Sequence, residues 1–482
     1  MAEAERRRAI GSVVRARGSH PRGHWFESSI AHHPHLVGWR TRRVLAAIAA
    51  LVAAVAIAPG TSALEPDEVN SLALSATYEV EATFGWEDRR VSVEMTAVVH
   101  NTARWSVSTI AFNLAVLRTG NAELGVTTVD GSVVEAVTDD QTILVPLAQP
   151  LLPGATTTVQ IAYAARLNAN SSIDGDAWAF ARIGDVLTAY RWIPWLTRTT
   201  PFSRPNVGDP FVTASSPSVR VAITTDREML IATSGRRMAA NGMTQTFEAS
   251  DVRDFNLAAS PSYRTRSVDV GGTEVTLYYL SLPPDQVLDV AARAIRDFSA
   301  KLAPFPHPQM TIAEIGPWSP FESPAHFWLP SNASTRLLPW MVAHEVAHQW
   351  FYSAVGNDQA REPFADEAVA DLMARSLISR FVASQCATGR LDHSIYDIGD
   401  CYAWVIYVQG VEWLRRLRDD AGADRFWSAL ANYYDEYQAR IGGTNALLSA
   451  LASASDRAVD YDRFPRTFPA RVVSMPFGPW LQ

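Results

Sequence analysis

The stretch HEVAHQWFYSAVGNDQAREPFADE, residues 344–367, decides how this chain reads. His344 and His348 are four residues apart, a little over one helical turn, so on an α-helix both imidazoles leave from one face. Two neutral imidazoles at that spacing can share one zinc ion. Glu345 follows the first histidine and falls beside the metal rather than on it, where a carboxylate can take a proton from an attacking water. A catalytic zinc needs a third protein ligand and an open fourth position. Glu367, after the eighteen residues 349–366, supplies the third. The alternative is an amphipathic helix that happens to carry two histidines. Leu337, Leu338, Trp340, Met341, Val342, Val346, Ala347, Trp350 and Phe351 are apolar, however, and predict a buried helix. Burying two histidines and a glutamate there is costly without a metal or partners. No further Cys or His is at hand to close the fourth position, as a structural zinc site would require.

The pattern H-E-x-x-H-x18-E, with Gln349-Trp350-Phe351 after the second histidine, resembles the gluzincin zinc aminopeptidases of the alanyl aminopeptidase and leukotriene hydrolase type. That resemblance implies one Zn2+ per chain held by His344, His348 and Glu367. It makes Glu345 the general base, the activity a metallopeptidase and the partner a peptide. The family usually has Asn-Glu-Gly at the third ligand, where this chain has Asp366-Glu367-Ala368. The run from Glu367 to Asp371 instead resembles the glutamate helix of thermolysin-like enzymes. There an Asp four residues on accepts a hydrogen bond from the first zinc histidine, which makes Asp371 the expected orienter of His344. The family's Tyr-x-Lys-Gly segment, whose tyrosine stabilises the oxyanion, is matched by Tyr407-Val408-Gln409-Gly410, with Tyr402 as the competing tyrosine. Its Gly-x-Met-Glu-Asn strand binds the substrate's α-amino group. The corresponding Ser319-Pro320-Phe321-Glu322-Ser323-Pro324 keeps the Glu at Glu322 but lacks the Gly and the Met. An ammonium can be held there by a charge-assisted hydrogen bond. The altered strand keeps open an endopeptidase on the same scaffold, and a non-catalytic peptide-binding relative is the further alternative. His307 and His326, set among prolines and loop-like sequence, read as structural.

The chain has 482 residues, 48% hydrophobic and 19% charged, enough for two or three folded domains. Residues 1–63 read as a leader. The apolar run Val44–Ala58 follows Arg40, Arg42 and Arg43 and precedes the small residues Thr61, Ser62 and Ala63, a signal-peptide layout. The run is shorter than the ~20 apolar residues of a membrane span, so the expected location is exported, with membrane anchoring the alternative if the leader is not cleaved. Residues 1–36 are long and irregular for such a leader, which suggests a translation start downstream of Met1. The leader is net +6, so residues 64–482 carry about −14 of the chain's −8, a balance that disfavours nucleic-acid binding. Cys386 and Cys401 suit an exported protein. A disulfide between them, closing a loop of fifteen residues, would stabilise by about 3 kcal/mol and tether the segment leading to Tyr407.

Residues 64–268 read as β-structure. Val91–Val99 alternates apolar and polar, Leu151-Leu152-Pro153-Gly154 is a turn before the strand Thr157–Tyr163, and Val219–Ile223 and Val275–Tyr279 repeat the pattern. Trp192–Trp195 and Phe202–Phe211 resemble the family's aromatic, proline-rich connector. Residues 269–482 read as mainly helical, beginning at Pro284 with Val287, Leu288, Ala291, Ala292, Ile295 and Phe298 on one face. The expected class is multidomain α+β: an N-terminal β-sandwich or saddle, then a thermolysin-like, mainly α-helical catalytic domain. With the chain stopping at Gln482, the resemblance is to a short form lacking the family's large C-terminal helical domain.

Overall fold

The computed structural model describes residues 69–120, 122–169, 177–199, 212–380, 386, 389–395, 397, 401–454 and 461–465. The leader with its apolar run, and the connector residues 202–211, lie outside the described residues. Among the described residues no helix is long and apolar enough to cross a membrane.

The first half is built of three sheets. The largest has eight strands, with Leu74–Phe84 and Arg90–Asn101 paired antiparallel at its centre. Both strands alternate buried and outward-facing residues almost without a break, as a sheet with one covered face requires. Leu74–Phe84 pairs parallel to Val219–Thr225 on its other side. Strand Val107–Asn113 belongs to a second sheet, and Val186–Ala189 and Leu257–Ser260 to a third. Side chains of all three, among them Tyr78, Val93, Phe112, Val145, Leu187 and Leu257, share one apolar core.

The second half rests on a five-stranded sheet. In spatial order its strands are Arg264–Val270, Thr273–Tyr279, Gln309–Ile315, His326–Pro330 and Phe321–Ser323. The helix Pro284–Lys301 links Thr273–Tyr279 to the parallel strand Gln309–Ile315, and all six apolar positions expected on its inner face are buried. The helices Leu338–Ala347, Glu367–Leu377, Val411–Ala421, Ala423–Tyr437 and Thr444–Ala452 complete a second core. The architecture is thus mixed α and β with several sheets. The change of texture expected at 268–269 falls inside a strand. Arg264–Val270 already pairs with Thr273–Tyr279, so the second half's sheet begins at Arg264 and claims Val275–Tyr279 too.

Many contacts join the halves, and two groups of them stand out. Trp178 and Tyr190 from the first pack against Phe321 and Trp328 from the second, with ring centroids 4.7–6.2 Å apart. Arg253, 1% exposed, donates to the carbonyls of Thr213 (2.9 Å), Ser353 (2.9 Å), Ala354 (3.3 Å) and Arg440 (3.2 Å). Gly356 makes room for it, since a Cβ there would stand 2.2 Å from the guanidinium. Burial lowers the Arg253 pKa to about 10, which still leaves it charged at neutral pH. Replacing Arg253 with methionine removes the donor to the Thr213 and Ser353 carbonyls and leaves those of Ala354 and Arg440 with only a backbone N–H. The expected cost is about 3–5 kcal/mol of stability, measured by urea unfolding with the slope unchanged.

Candidate active site

The helix Leu338–Ala347 is buried along nearly its whole length and starts with Pro339 in its first turn, where a missing N–H costs nothing. It brings His344 to its last turn and His348 just past its end. The helix Glu367–Leu377 packs beside it and presents Glu367 from its first residue. Three candidate ligand atoms converge. His344 Nε2 is 3.1 Å and His348 Nε2 3.4 Å from Glu367 Oε2, and the two ring nitrogens are 3.0 Å apart. A tetrahedral zinc with bonds of about 2.0–2.2 Å holds its ligand atoms roughly 3.3 Å from one another, so the spacing fits. The donor set fits as well. Two imidazole lone pairs and a carboxylate cannot face one buried point at such distances without positive charge between them.

The tautomer of His348 follows from its surroundings. Its Nδ1 lies 2.9 Å from Asp366 Oδ1 and 3.0 Å from the Phe351 carbonyl, both acceptors, so Nδ1 carries the proton and Nε2 is left to bind a metal. Burial disfavours a charged His348, but Asp366 and Glu367 outweigh it and raise its pKa well above the ordinary range. Burial would likewise raise the pKa of Glu367, but His348 and His344 hold it far below. The negative potential that favours a proton here favours a divalent cation equally.

Glu345 is buried, and one of its oxygens lies within 4.8 Å of ligand atoms of both Glu322 and His348. Glu322 sits in Phe321–Ser323, the edge strand of the five-stranded sheet, antiparallel to His326–Pro330. Gln349 ties this strand to the zinc helix. Its side-chain oxygen accepts from Ala325 N (2.8 Å) and its amide donates to the Ser323 carbonyl (3.0 Å). Alternation along the strand sends Phe321 into the aromatic cluster behind and Glu322 forward.

Residues Trp404–Gly410 are wound as a π-helix, a form often found at functional sites. They set the Tyr407 ring 5.8 Å from that of His344, with Tyr402 packed edge-on against Tyr407. Gly410 permits this approach. A Cβ there would meet Ala368 at 3.0 Å and Phe364 at 3.3 Å, on the segment that carries Glu367. Cys386 and Cys401 are joined as a disulfide, and the Cys386 carbonyl accepts from Gln409 Nε2 at 2.7 Å, fastening the segment at both ends.

The comparisons with known proteins agree with this geometry. No family model matches the chain. Aminopeptidase M1-C of Oryza sativa subsp. japonica is 25% identical over 239 residues, 44% of this chain, and Aminopeptidase M1-D of the same plant is 26% identical over 240. The chain spans about a quarter of the length of these curated relatives, 26% in each case. Among solved structures, a mutant M1 zinc metallopeptidase from Deinococcus radiodurans superposes with a TM-score of 0.64 at 17% identity, covering 84% of this chain and 96% of that one. The same metallopeptidase bound to a Tyr-Ser-Ala substrate gives 0.61 at 17% identity, covering 79% and 91%. The chain has the M1 zinc metallopeptidase fold.

Within this M1 fold one expected role changes hands. Asp371 makes no hydrogen bond to His344, whose Nδ1 has no hydrogen-bond partner among the described residues. Asp371 accepts instead from Trp340 Nε1 at 2.6 Å and pairs with Arg375 at 2.6 Å. Both partners lead back to the site: Trp340 packs 5.5 Å from His344, and Arg375 donates to the Tyr407 carbonyl at 2.7 Å. The indole and guanidinium capture the carboxylate before the imidazole can. The carboxylate that does orient a zinc histidine is Asp366, on His348. Its only sequence signal is that it stands next to Glu367, where the family that the motif resembles usually has Asn. Asp366→Ala is therefore expected to weaken zinc binding about 10–100-fold, measured by competition with a chromogenic chelator. His307 and His326 are structural. His307 pairs with Ser353 Oγ at 2.7 Å, and burial lowers its pKa to about 4. His326 accepts from Trp328 Nε1 at 2.8 Å, and burial lowers its pKa to about 3.

Proposed function

We propose that this chain is a zinc-dependent aminopeptidase that removes residues from the amino terminus of peptides. The observation that carries the reading is the meeting of two sets of side chains. His344, His348 and Glu367 form a three-ligand metal site, and Glu322 and Glu345 lie within reach of the same histidine beside the edge strand of a sheet. Zinc, when bound there, supplies a Lewis acid that brings a water's pKa to about 7 and polarises the scissile carbonyl.

The protein's own groups do the rest. An extended peptide adds alongside the edge strand Phe321–Ser323 by main-chain hydrogen bonds. Glu322 accepts a charge-assisted hydrogen bond from its ammonium and so fixes the register of the first residue. Glu345 takes the proton of the attacking water and returns it to the leaving nitrogen. The Tyr407 hydroxyl donates to the oxygen that gains charge as the carbonyl carbon becomes tetrahedral. The finer architectural reading, a β-saddle or sandwich beside a thermolysin-like catalytic unit, belongs to the same proposal. So does export, supported by the leader's composition and the Cys386–Cys401 pair.

Purified full-length chain, incubated with a mixed peptide library carrying free or acetylated amino termini, tests the reading. Stepwise loss of single N-terminal residues from the free set alone supports it. Internal cuts in both sets make the chain an endopeptidase with the same metal chemistry. No cleavage in either set by the zinc-loaded protein leaves a peptide-binding role.

A further inference from the structure

We propose that Gln359 is a positioning residue, which sets Glu322 against His348 and ties both to the β-rich half through Arg191. The proposal deepens the aminopeptidase reading and rests on it. Gln359 is buried in the loop between the zinc helix and Glu367. Its side-chain nitrogen donates to Glu322 Oε1 at 2.8 Å and to Asp366 Oδ2 at 3.0 Å. The other Asp366 oxygen faces His348 Nδ1. One amide nitrogen thus stands between the carboxylate assigned to the substrate's amine and the carboxylate that orients a metal ligand. The Gln359 oxygen accepts from Arg191 Nη2 at 3.1 Å. The opposite amide orientation would aim an oxygen at two carboxylates and N–H groups at a guanidinium, so the network dictates the assignment.

An amide is the side chain this place needs. Glu322, Glu345, Asp366 and Glu367 crowd four carboxyl groups into a buried volume. A neutral group with two N–H bonds on one atom holds two of them apart without adding charge of either sign.

Arg191 reaches Gln359 from the first half and is held there. Its backbone N–H donates to Asn256 Oδ1 at 2.6 Å, and its guanidinium lies 3.9 Å from Asp254 and 3.4 Å from the Tyr352 hydroxyl. Tyr352 in turn donates to Asp254. Arg191 and Tyr352 both have positive φ, 45° and 120°, a region that side chains other than glycine rarely occupy. Two strained residues meeting at one buried junction mark it as one the surrounding structure specifies. The spacing between amine anchor and metal therefore depends on how the β-rich half docks. That spacing decides which peptide bond meets the metal.

The test compares wild type, Gln359→Met, Gln359→Glu, Glu322→Gln and the double variant Gln359→Met/Glu322→Gln, all as full-length chain at saturating zinc. kcat and KM are measured on a free-amine tripeptide library and on its acetylated counterpart, alongside zinc content and melting temperature. Gln359→Met keeps the volume and removes both donors. It is expected to lower kcat/KM on free-amine peptides ten- to a hundred-fold, mostly through KM, and to narrow the preference over acetylated peptides. Added to Glu322→Gln it should cost little more, because the two act through one contact. Gln359→Glu keeps the acceptor for Arg191 and should read the same way or worse, which covers the case of a methionine variant that does not fold. Kinetics within about two-fold of wild type, or full additivity with Glu322→Gln, overturn the proposal alone. A wild type that cuts acetylated and free peptides alike, or neither, overturns the aminopeptidase reading and takes the proposal with it.

Discussion

Glu345→Ala is expected to keep its zinc and lose peptide cleavage by about 10²–10⁴-fold in kcat. The zinc should stay because Glu345 is not among the three ligand atoms that converge. It follows His344 directly, and on a helix one residue is a turn of about 100°, so its carboxylate leaves the face shared by the histidines. It falls instead with Glu322 and His348, within 4.8 Å of their ligand atoms, between the amine anchor and the metal. The other carboxylates there have tasks of their own. Glu367 faces both histidines, Asp366 holds His348, and Glu322 accepts from Gln359. Losing the base leaves water to lose its proton unaided, which is the source of the expected factor. Glu345→Gln separates chemistry from packing, because it keeps the shape and removes the basicity. Zinc content by atomic absorption, with kcat and KM on the free-amine library, checks both variants. A Glu345→Gln protein that turns over at more than about a tenth of the wild-type rate would refute proton transfer by this residue.

What the sequence disclosed divides by distance along the chain. His344 and His348 were legible because a fixed helical spacing decides which face they share, and the apolar residues around them required that face to be buried. Glu367 followed from its interval. Glu322 and Tyr407 were singled out only through resemblance. The covalent link between Cys386 and Cys401 was an expectation of compartment and spacing. Where a role depends on which of several neighbours wins a carboxylate, the sequence misled. Asp371 has the right offset for His344, but Trp340 from the zinc helix and Arg375 one turn along its own helix reach it first. Asp366 was passed over for the opposite reason, because its partnership with His348 looked like a departure from the family pattern. Arg191, Arg253 and Gln359 carried no local signal at all. Arg191 and Gln359 are 168 residues apart and meet only when the halves dock. Arg264–Val270, which spans the expected boundary at 268–269, is polar over its first four residues and carries no sign of its sheet in its own sequence. Only pairing reveals which sheet it joins.

Removing the metal is expected to abolish cleavage and to lower the melting temperature by an amount that grows as pH rises above about 6.5. Loss of activity follows from the residues that remain: Glu345 and Tyr407 can move or share a proton, but neither replaces the Lewis acid. The stability effect follows from charge. The metal site is flanked by Glu322, Glu345, Asp366 and Glu367, and the positive charge that balances them is either a divalent cation or a proton on His348. Asp366 and Glu367 raise the His348 pKa well above its ordinary 6.5, against the opposing effect of burial. In chelated protein, a raised folded-state pKa contributes stability that is fully present below about 6.5 and is lost as pH climbs through the folded value. Zinc behaves in the opposite sense. It requires neutral imidazoles, so protons compete with it at low pH and its affinity improves as pH rises. At free zinc about a thousand times its dissociation constant, binding adds roughly 4 kcal/mol of stability. The two trends diverge with pH, and the gap between loaded and chelated protein should widen from pH 6 to 9. Melting curves across that range, with and without a strong chelator, measure it directly. A gap that stays constant would mean that His348 does not replace the cation's charge, and chelated protein that still cleaves peptides would remove the metal from the mechanism altogether.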